Sequence, residues 1–205
     1  MKIGIYGGTF SPPHFGHVRA TRAFYRQMKL DTLYVVPTAI PPHKQMEGDA
    51  DSVTRLNMAR LAFDNLDGER IVVSDYETVK KTVSFTVETL EHFRAAVSED
   101  IYLLCGTDMF LTLDKWKRAE DIFRYAKIVC ASRTSEAAFI PQIEEKRALY
   151  EKTYGADVSL LDIIPFEISS SEVRAALAAG SDVSEYVPAA VIELIKENNL
   201  YGVCK

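Results

Sequence analysis

A glycine-rich turn between an apolar run and a helical pattern constrains the fold of this chain more than any other feature. Residues 3–6 predict a short buried strand, residues 7–17 read GGTFSPPHFGH, and a helical pattern begins near Gly16. The start of a helix offers unpaired backbone N–H groups and a partial positive charge, so a strand, a tight turn and a helix in this order predict an anion site. His14 and His17 would then project to the same side of the first helical turn.

Two common phosphate-binding motifs do not match this turn. It lacks the Gly-Lys-Ser/Thr of a Walker A loop, and its glycines do not have the G-x-G-x-x-G spacing of a dinucleotide fold. A proline-rich surface turn with two solvated histidines is the alternative interpretation. Two histidines that frame a glycine behind Gly-Gly-Thr favour a ligand site, and Gly7 and Gly8 would let a ligand approach the backbone because they have no Cβ.

Strand and helix patterns alternate along the rest of the chain. Further strands are expected at 31–36, 71–74, 101–105, 127–131 and 158–163. Helices are expected at 17–29, 52–66, 119–125 and 141–152, and another that ends near 97 and is capped by Ser84 or Thr86. This alternation predicts an α/β fold with a doubly wound, Rossmann-like parallel sheet flanked by helices and a small C-terminal helical segment at about 169–205. The length predicts a single domain, 1–205.

Composition excludes several classes of partner. The net charge is −5 and no basic run is present, which argues against nucleic acid as the main partner but allows a nucleotide. No apolar run approaches the roughly 20 residues that a membrane helix needs. The start of the chain does not resemble a signal segment, and three widely spaced cysteines match no zinc or redox motif. We therefore expect no membrane association, reduced thiols and a cytoplasmic location.

A second anion site is predicted at residues 168–174, which read ISSSEVR. Serine hydroxyls and unpaired N–H groups at the start of a helix bind anions, and Arg174 is spaced to lie back over Ser170 and Ser171. The alternative from the residues alone is an ordinary helix cap followed by a surface arginine.

Four further positions carry polar or aromatic groups near predicted strand ends or helix starts. Gly106-Thr107-Asp108 follows an apolar strand, and Asp108 could accept hydrogen bonds from a ribose, cap the next helix or do both. Lys44 ends a proline-rich loop beyond the second strand and would otherwise be a solvated lysine. Thr86 alone suggests a helix cap, and the lone Trp116 alone suggests the core.

Together the two motifs resemble the signatures of the H-x-G-H nucleotidyltransferases. Residues 7–17 are similar to G-G-T-F-D-P-P-H-x-G-H and residues 168–174 to I-S-S-T-x-[IV]-R, in the right order and about 150 residues apart. The T-L-x-x-W pattern at 112–116 and the P-H-K pattern at 42–44 most resemble bacterial nicotinate mononucleotide adenylyltransferases. The resemblance covers essentially the whole chain.

Three residues depart from the family pattern. Ser11 replaces the usual aspartate, Phe85 replaces the tyrosine of an S-Y-T segment, and Ser171 replaces threonine. Ser11 suits a turn as aspartate does. A backbone donor near Thr86 survives the change at Phe85, and Ser171 keeps a hydroxyl.

The resemblance implies transfer of AMP from ATP to nicotinate mononucleotide, giving nicotinate adenine dinucleotide and pyrophosphate. Mg²⁺ would bind through phosphates and water, without protein ligands. The catalytic residues would be His14, His17, Lys44 and Arg174. The ATP-binding residues would be Gly7, Gly8, Thr9, Phe10, Gly16, Gly106, Asp108, Ser169, Ser170 and Ser171. The nicotinate mononucleotide-binding residues would be Thr86, Trp116 and Lys44, with Trp116 stacked on the nicotinate ring.

Other functions stay open at this point. A sister adenylyltransferase could accept nicotinamide mononucleotide or phosphopantetheine, and a non-catalytic sensor could bind a nucleotide on the same fold. A dinucleotide-binding reductase is disfavoured because G-x-G-x-x-G is missing. The sequence leaves the oligomeric state open, with a homo-oligomer as one option, and assigns no role to Arg133.

Overall fold

The structure, a computed structural model, describes residues 1–42, 50–64, 66, 68–133, 138–163 and 168–203. The strands are β1 (Lys2–Gly8), β2 (Thr32–Pro37), β3 (Ile71–Val73), β4 (Asp100–Gly106), β5 (Lys127–Arg133) and β6 (Val158–Ile163). The α-helices are α1 (Phe15–Gln27), α2 (Ser52–Phe63), α3 (Tyr76–Lys80), α4 (Thr86–Ala96), α5 (Thr107–Thr112), α6 (Ala119–Tyr125), α7 (Ile140–Tyr154), α8 (Ser170–Ala178) and α9 (Ala189–Glu197). Short 3₁₀ helices cover Leu113–Lys115 and Leu200–Gly202.

The six strands form one sheet in the order β3-β2-β1-β4-β5-β6. β1 pairs with β4, β4 with β5, and β5 with β6, all in parallel, with Ile5 opposite Leu103 and Cys105 opposite Cys130. The chain moves outward from β1 in one direction and then returns to continue from β4 in the other, which is the doubly wound order. The predicted Rossmann-like α/β class is therefore confirmed.

Apolar residues place β1 and β4 in the interior of the sheet. Residues 101–105 are buried throughout, as expected for a central parallel strand covered on both faces. In β1, a Cβ on Gly4 would lie 2.7 Å from Leu33 and 2.9 Å from Phe24. Glycine at this position therefore allows close packing of the strand against the segment that follows it.

The chain divides into two compact units. The first unit consists of Met1–Tyr6, Ala20–Tyr34 and Phe85–Pro165, and it contains β4, β5, β6 and α4 to α7. The second unit consists of Gly7–Arg19, Val35–Ser84 and Phe166–Lys205, and it contains α2, α3, α8 and α9. The expectation of a single domain over 1–205 stays a prediction.

Most predicted helices and strands are confirmed, with corrections at the ends. Asp51 caps α2, because its carboxylate accepts a hydrogen bond of 2.7 Å from the Thr54 backbone. The predicted cap of α4 is wrong: Phe85 occupies the cap position with extended backbone and no side-chain cap bond. The Ser84 hydroxyl instead accepts from the Ala39 backbone N–H at 3.0 Å, so a loop contact has taken its place.

Candidate active site

The candidate site residues fall into two groups, one in each compact unit. The group in the second unit is built on the turn Gly7–His17, which we call the histidine turn. Phe10 anchors this turn: its backbone has φ of +48°, and its ring is 2% exposed and lies edge-on to His17 and Phe63. A contact between Phe10 and ATP would therefore come from its backbone.

The Phe10 side chain also explains why one of the two residues shortly before it is glycine. A Cβ on Gly8 would lie 2.8 Å from the buried Phe10 ring, so the side chain of Phe10 itself requires glycine there. At Gly7 an added Cβ would meet no described atom within 4 Å. Only Gly7 therefore leaves the open space that was expected for both glycines.

His14 and His17 lie against each other at the start of α1. Their ring centroids are 3.8 Å apart, and His14 is 3% exposed. The His14 backbone N–H donates to His17 Nδ1 at 3.2 Å, and the Gly16 N–H donates to His14 Nδ1 at 3.1 Å. Because Nδ1 accepts in both rings, each neutral imidazole carries its proton on Nε2. Two N–H groups of the helix start thus orient the two rings.

The second predicted motif lies against the histidine turn. Arg174 Nη1 donates to the Ser11 carbonyl at 2.8 Å, across 163 residues of chain, and its Nη2 lies 3.2 Å from Ser171 Oγ. The Ser170 hydroxyl donates to the Pro12 carbonyl at 3.0 Å. The structure therefore brings the serines and the guanidinium of the second motif to the residues just before His14.

A capping box holds the start of α8, where these serines lie. The Ser169 hydroxyl accepts from the Glu172 backbone N–H at 3.2 Å, and Glu172 accepts from the Ser169 N–H at 2.7 Å. This arrangement satisfies the first donors of the helix. Ser169 is thus engaged in the cap, whereas Ser170 is half-buried and Ser171 is exposed.

Lys44 lies outside the described residues, but the base of its loop is described. The Thr38 N–H donates to the Gly8 carbonyl at 2.9 Å, which connects the loop after β2 to the histidine turn. Ser84 holds the next part of the loop: its hydroxyl accepts from Ala39 and its N–H donates to the Ile40 carbonyl at 2.9 Å.

In the first unit, Gly106 and Asp108 lie at the carboxyl end of β4. Gly106 is the last residue of the strand and the N-cap of α5, which begins at Thr107. Asp108 lies exposed in the first turn of α5 and does not cap it. The capping interpretation of Asp108 is therefore wrong, and its carboxylate is accessible to a ligand.

Thr86 and Trp116 belong to neighbouring segments of the first unit. The Lys117 ammonium lies 3.9 Å from the centre of the Phe85 ring and 2.9 Å from Glu88, so it joins the segment after Trp116 to the start of α4. Trp116 is half-buried, so the alternative that places it in the core is wrong. Thr86 is the first residue of α4, so the backbone N–H groups near it belong to a helix start.

Asp114 fixes the 3₁₀ turn that leads to Trp116. Lys146 Nζ lies 2.9 and 2.8 Å from the two carboxylate oxygens of Asp114, and the Tyr150 hydroxyl lies 3.1 Å from one of them and 2.7 Å from the Phe110 carbonyl. Partial burial raises the pKa of Asp114, but the hydrogen bonds from Lys146 and Tyr150 outweigh it and bring the pKa below its ordinary value. Burial and the neighbouring carboxylate raise the pKa of Tyr150, which stays protonated.

Comparison with known proteins identifies the family. A model described as cytidylyltransferase-like matches residues 5–176. A probable nicotinate-nucleotide adenylyltransferase of Clostridium kluyveri is 36% identical over 204 residues, which cover 98% of this chain and 99% of that protein. Another from Clostridium tetani is 34% identical and covers 98% of both chains. The chain belongs to the cytidylyltransferase-like family, among its nicotinate-nucleotide adenylyltransferases.

Solved structures agree on the fold of this family. The nicotinic acid mononucleotide adenylyltransferase of Plasmodium falciparum complexed with NaAD has a TM-score of 0.81 at 20% identity, and the match covers 99% of this chain and 98% of that one. A structure from Vibrio parahaemolyticus, a putative nicotinate-nucleotide adenylyltransferase, has a TM-score of 0.67 and also 20% identity.

Ser11, which departs from the family pattern, has a hydrogen-bonding partner in the structure. Ser11 is fully buried, and its hydroxyl lies 3.0 Å from the Tyr201 hydroxyl, across 190 residues. The histidine turn is thus tied to the 3₁₀ helix at the C-terminal end. A second departure, Phe85, presents its ring to Lys117.

Sequence reasoning missed Arg55. Its guanidinium is buried in the second unit and bonds to the carbonyls of Thr9 and Ala39 at 2.8 and 2.7 Å. Arg55 precedes the buried Met58, Ala59 and Ala62 at helical spacing, so it occupies a core-facing position of α2. A charged residue within this stripe of apolar residues was the sequence feature that could have identified Arg55.

Two further expectations concern membrane-spanning helices and metal-binding groups of side chains. No described helix is long and apolar enough to cross a membrane. In the same part of the chain, no group of three or more His, Cys, Asp or Glu side chains is arranged to hold a metal ion.

Proposed function

We propose that this protein transfers the AMP group of ATP to nicotinate mononucleotide, giving nicotinate adenine dinucleotide and pyrophosphate. One observation carries the proposal: the two signature motifs meet in one compact unit, where Arg174 bonds to the Ser11 carbonyl just before His14. Relatives at 36% and 34% identity over nearly their full length are described as probable enzymes of this specificity.

The chemistry needs positioning and charge compensation more than proton transfer. A phosphate oxygen of nicotinate mononucleotide forms a bond to the α-phosphorus of ATP, and the bond from that phosphorus to the oxygen bridging to the β-phosphate breaks. The attacking oxygen is already anionic at neutral pH, so a general base is not required. The protein must hold two anions in line and compensate the charge that develops on the leaving pyrophosphate.

The second unit supplies donors suited to a triphosphate. We propose that the Nε2–H groups of His14 and His17 donate to the phosphates of ATP, with His17 on the α-phosphate in the transition state. The Nδ1 hydrogen bonds of both rings support this, because they place the proton on Nε2. Arg174 and Lys44 would bind the β- and γ-phosphates, and Ser170 and Ser171 would add donors at a helix start.

The first unit supplies groups suited to sugar and pyridine recognition. We propose that Asp108 accepts hydrogen bonds from a ribose beside Gly106, which its exposed position at the end of β4 supports. Trp116 would stack on the nicotinate ring, and backbone N–H groups near Thr86 would bind the carboxylate. The half-exposed indole supports this role, because a buried ring could not meet a substrate.

Mg²⁺ is proposed to enter as part of the substrate. A complex of Mg²⁺ with ATP needs few protein ligands, because the ion binds phosphate oxygens and water. The ion would neutralise part of the phosphate charge.

We also propose a cytoplasmic location. The three widely spaced cysteines match no zinc or redox motif, so we expect them to be reduced thiols.

Steady-state kinetics with several acceptors test the proposal. Pyrophosphate release would be followed with ATP and Mg²⁺ and with nicotinate mononucleotide, nicotinamide mononucleotide or phosphopantetheine in parallel. We expect the highest kcat/KM with nicotinate mononucleotide. A higher value with another acceptor would make the protein a sister adenylyltransferase. ATP binding without turnover of any acceptor would make it a nucleotide sensor.

A further inference from the structure

Arg55 is a buried cation that joins two loops of the second unit. It lies on α2, and its side chain is among the largest that are fully buried, with the residue 1% exposed. Its three kinds of nitrogen all donate to backbone carbonyls: Nη1 to Thr9 at 2.8 Å, Nη2 to Ala39 at 2.7 Å and Nε to Ala50 at 3.2 Å. Thr9 is in the histidine turn, and Ala39 is in the loop that continues toward Lys44.

A guanidinium is well suited to fix two carbonyls relative to each other. Its donors lie in one plane at fixed angles, and its bonds to carbonyl oxygens are charge-assisted. Removing an arginine from water is unfavourable unless its donors are satisfied, so the bonds in a buried position are held tightly. The directions of the Thr9 and Ala39 carbonyls are therefore determined together by Arg55.

At Thr9 this has a direct consequence for the histidine turn. A trans peptide is planar, so the Phe10 N–H points opposite to the Thr9 carbonyl. With the carbonyl directed at Arg55, the N–H is directed away from it. Phe10 adopts φ of +48°, an uncommon backbone conformation for this residue type, and the bond to Arg55 helps to maintain it.

At Ala39 the guanidinium completes the set of hydrogen bonds that hold the base of the loop after β2. Ser84 holds the Ala39 N–H and the Ile40 carbonyl, and Arg55 holds the Ala39 carbonyl. The Thr38 N–H bonds to Gly8, so this base is also joined to the histidine turn. The position from which the chain departs toward Lys44 is thus set by Arg55 together with Ser84.

We propose that Arg55 is a positioning residue of the ATP site. It acts on the reaction through the histidine turn and through residues 38–40 at the base of the loop after β2, and it need not touch the substrate. This inference rests on the proposed function of these loops. The histidine turn carries groups assigned to ATP alone, and only Lys44 is also assigned to nicotinate mononucleotide. Loss of Arg55 should therefore affect the use of ATP more than the binding of nicotinate mononucleotide.

The test compares Arg55→Lys with the full-length wild-type protein. Lysine keeps the charge but presents its donors from a single nitrogen, so it cannot hold both carbonyls in the same geometry. We expect kcat/KM for ATP to fall about 10²-fold, the effect of a misplacement of roughly 1 Å in a binding group, while KM for nicotinate mononucleotide changes little. Circular dichroism and thermal unfolding would show that the variant is folded at the assay temperature.

Met58→Ala is the matched control for a merely structural effect. Met58 is fully buried on the same helix, and its side chain has no hydrogen-bond donor. Compared at temperatures where both variants are equally far below their unfolding midpoints, Met58→Ala should keep the ATP kinetics of the wild type. The inference is overturned if Arg55→Lys retains the wild-type kcat/KM for ATP, or if Met58→Ala loses as much.

A second measurement tests the inference if Arg55→Lys does not fold. Arg55→Ala would be assayed with guanidinium at concentrations too low to unfold the protein, and kcat/KM for ATP should rise with guanidinium concentration in this variant only. No rise in a folded Arg55→Ala overturns the inference. Absence of turnover in the wild type would instead reject the proposed function, so the two failures are distinguishable.

Discussion

Replacing His17 with asparagine separates the roles of the two imidazole nitrogens. The asparagine Oδ1 occupies nearly the position of Nδ1 and can accept the hydrogen bond from the His14 backbone, which is 3.2 Å long in the structure. The variant has no counterpart of Nε2–H. Loss of one donor to a developing charge lowers kcat by about 10²–10³-fold, or roughly 2.7–4 kcal/mol of activation free energy.

His17→Ala and His17→Gln complete the comparison. Alanine removes both nitrogens, so we expect the same loss of kcat and a free energy of unfolding about 1 kcal/mol below that of His17→Asn, the net value of one hydrogen bond. Glutamine reaches the Nε2 position with an amide donor and should recover part of kcat. All three variants lack the edge contact with the Phe10 ring, so differences among them report on the nitrogens.

The assay is steady-state pyrophosphate release with saturating nicotinate mononucleotide, together with urea unfolding of each variant. A folded His17→Asn protein with kcat near the wild-type value would refute the role given to Nε2–H. Equal unfolding free energies for His17→Asn and His17→Ala would refute the role given to Nδ1.

Three further predictions concern the supports of the site. In a double-mutant cycle of Ser11→Ala and Tyr201→Phe, urea unfolding should give a coupling of about 1 kcal/mol for the buried hydroxyl pair. Asp114→Asn should lower the free energy of unfolding by about 1–2 kcal/mol at neutral pH. The folded-state pKa of Asp114 is depressed, so the wild type loses this advantage as pH falls below about 4, and the two unfolding curves should converge there. Trp116→Ala should raise KM for nicotinate mononucleotide about 10-fold in kinetic assays, with little change for ATP, because a base–aromatic stack is lost.

Each of these has a control. Additive effects of Ser11→Ala and Tyr201→Phe would show that the two hydroxyls do not stabilise one another. Lys146→Met should reproduce the acid dependence of Asp114→Asn, and a constant difference from the wild type across pH would contradict the assignment. Trp116→Phe keeps an aromatic face and should retain most of the affinity; equal losses in Trp116→Phe and Trp116→Ala would argue against stacking.

Local patterns in the sequence were enough to predict the fold class. α6 and β6 begin and end at the predicted residues, and the strand–helix alternation predicts a parallel sheet because parallel neighbours need crossover connections. The observed sheet has the doubly wound order. Periodicity reports which side of an element is buried, and this information is local. The errors are local too: α3 was not expected, and Ser84 bonds to a loop where a helix cap was predicted.

Pairings between distant residues depend on the tertiary structure. The sequence identified His14, His17 and Arg174 as site residues, but the proton position on each imidazole follows from backbone N–H groups whose direction exists only in the folded turn. The contact of Arg174 with the Ser11 carbonyl spans 163 residues, and no local pattern encodes it. Arg55 is the clearest case, because a charged side chain can be buried only where the fold offers it hydrogen-bond acceptors. Here three separate segments of chain supply carbonyls to its Nε, Nη1 and Nη2 atoms.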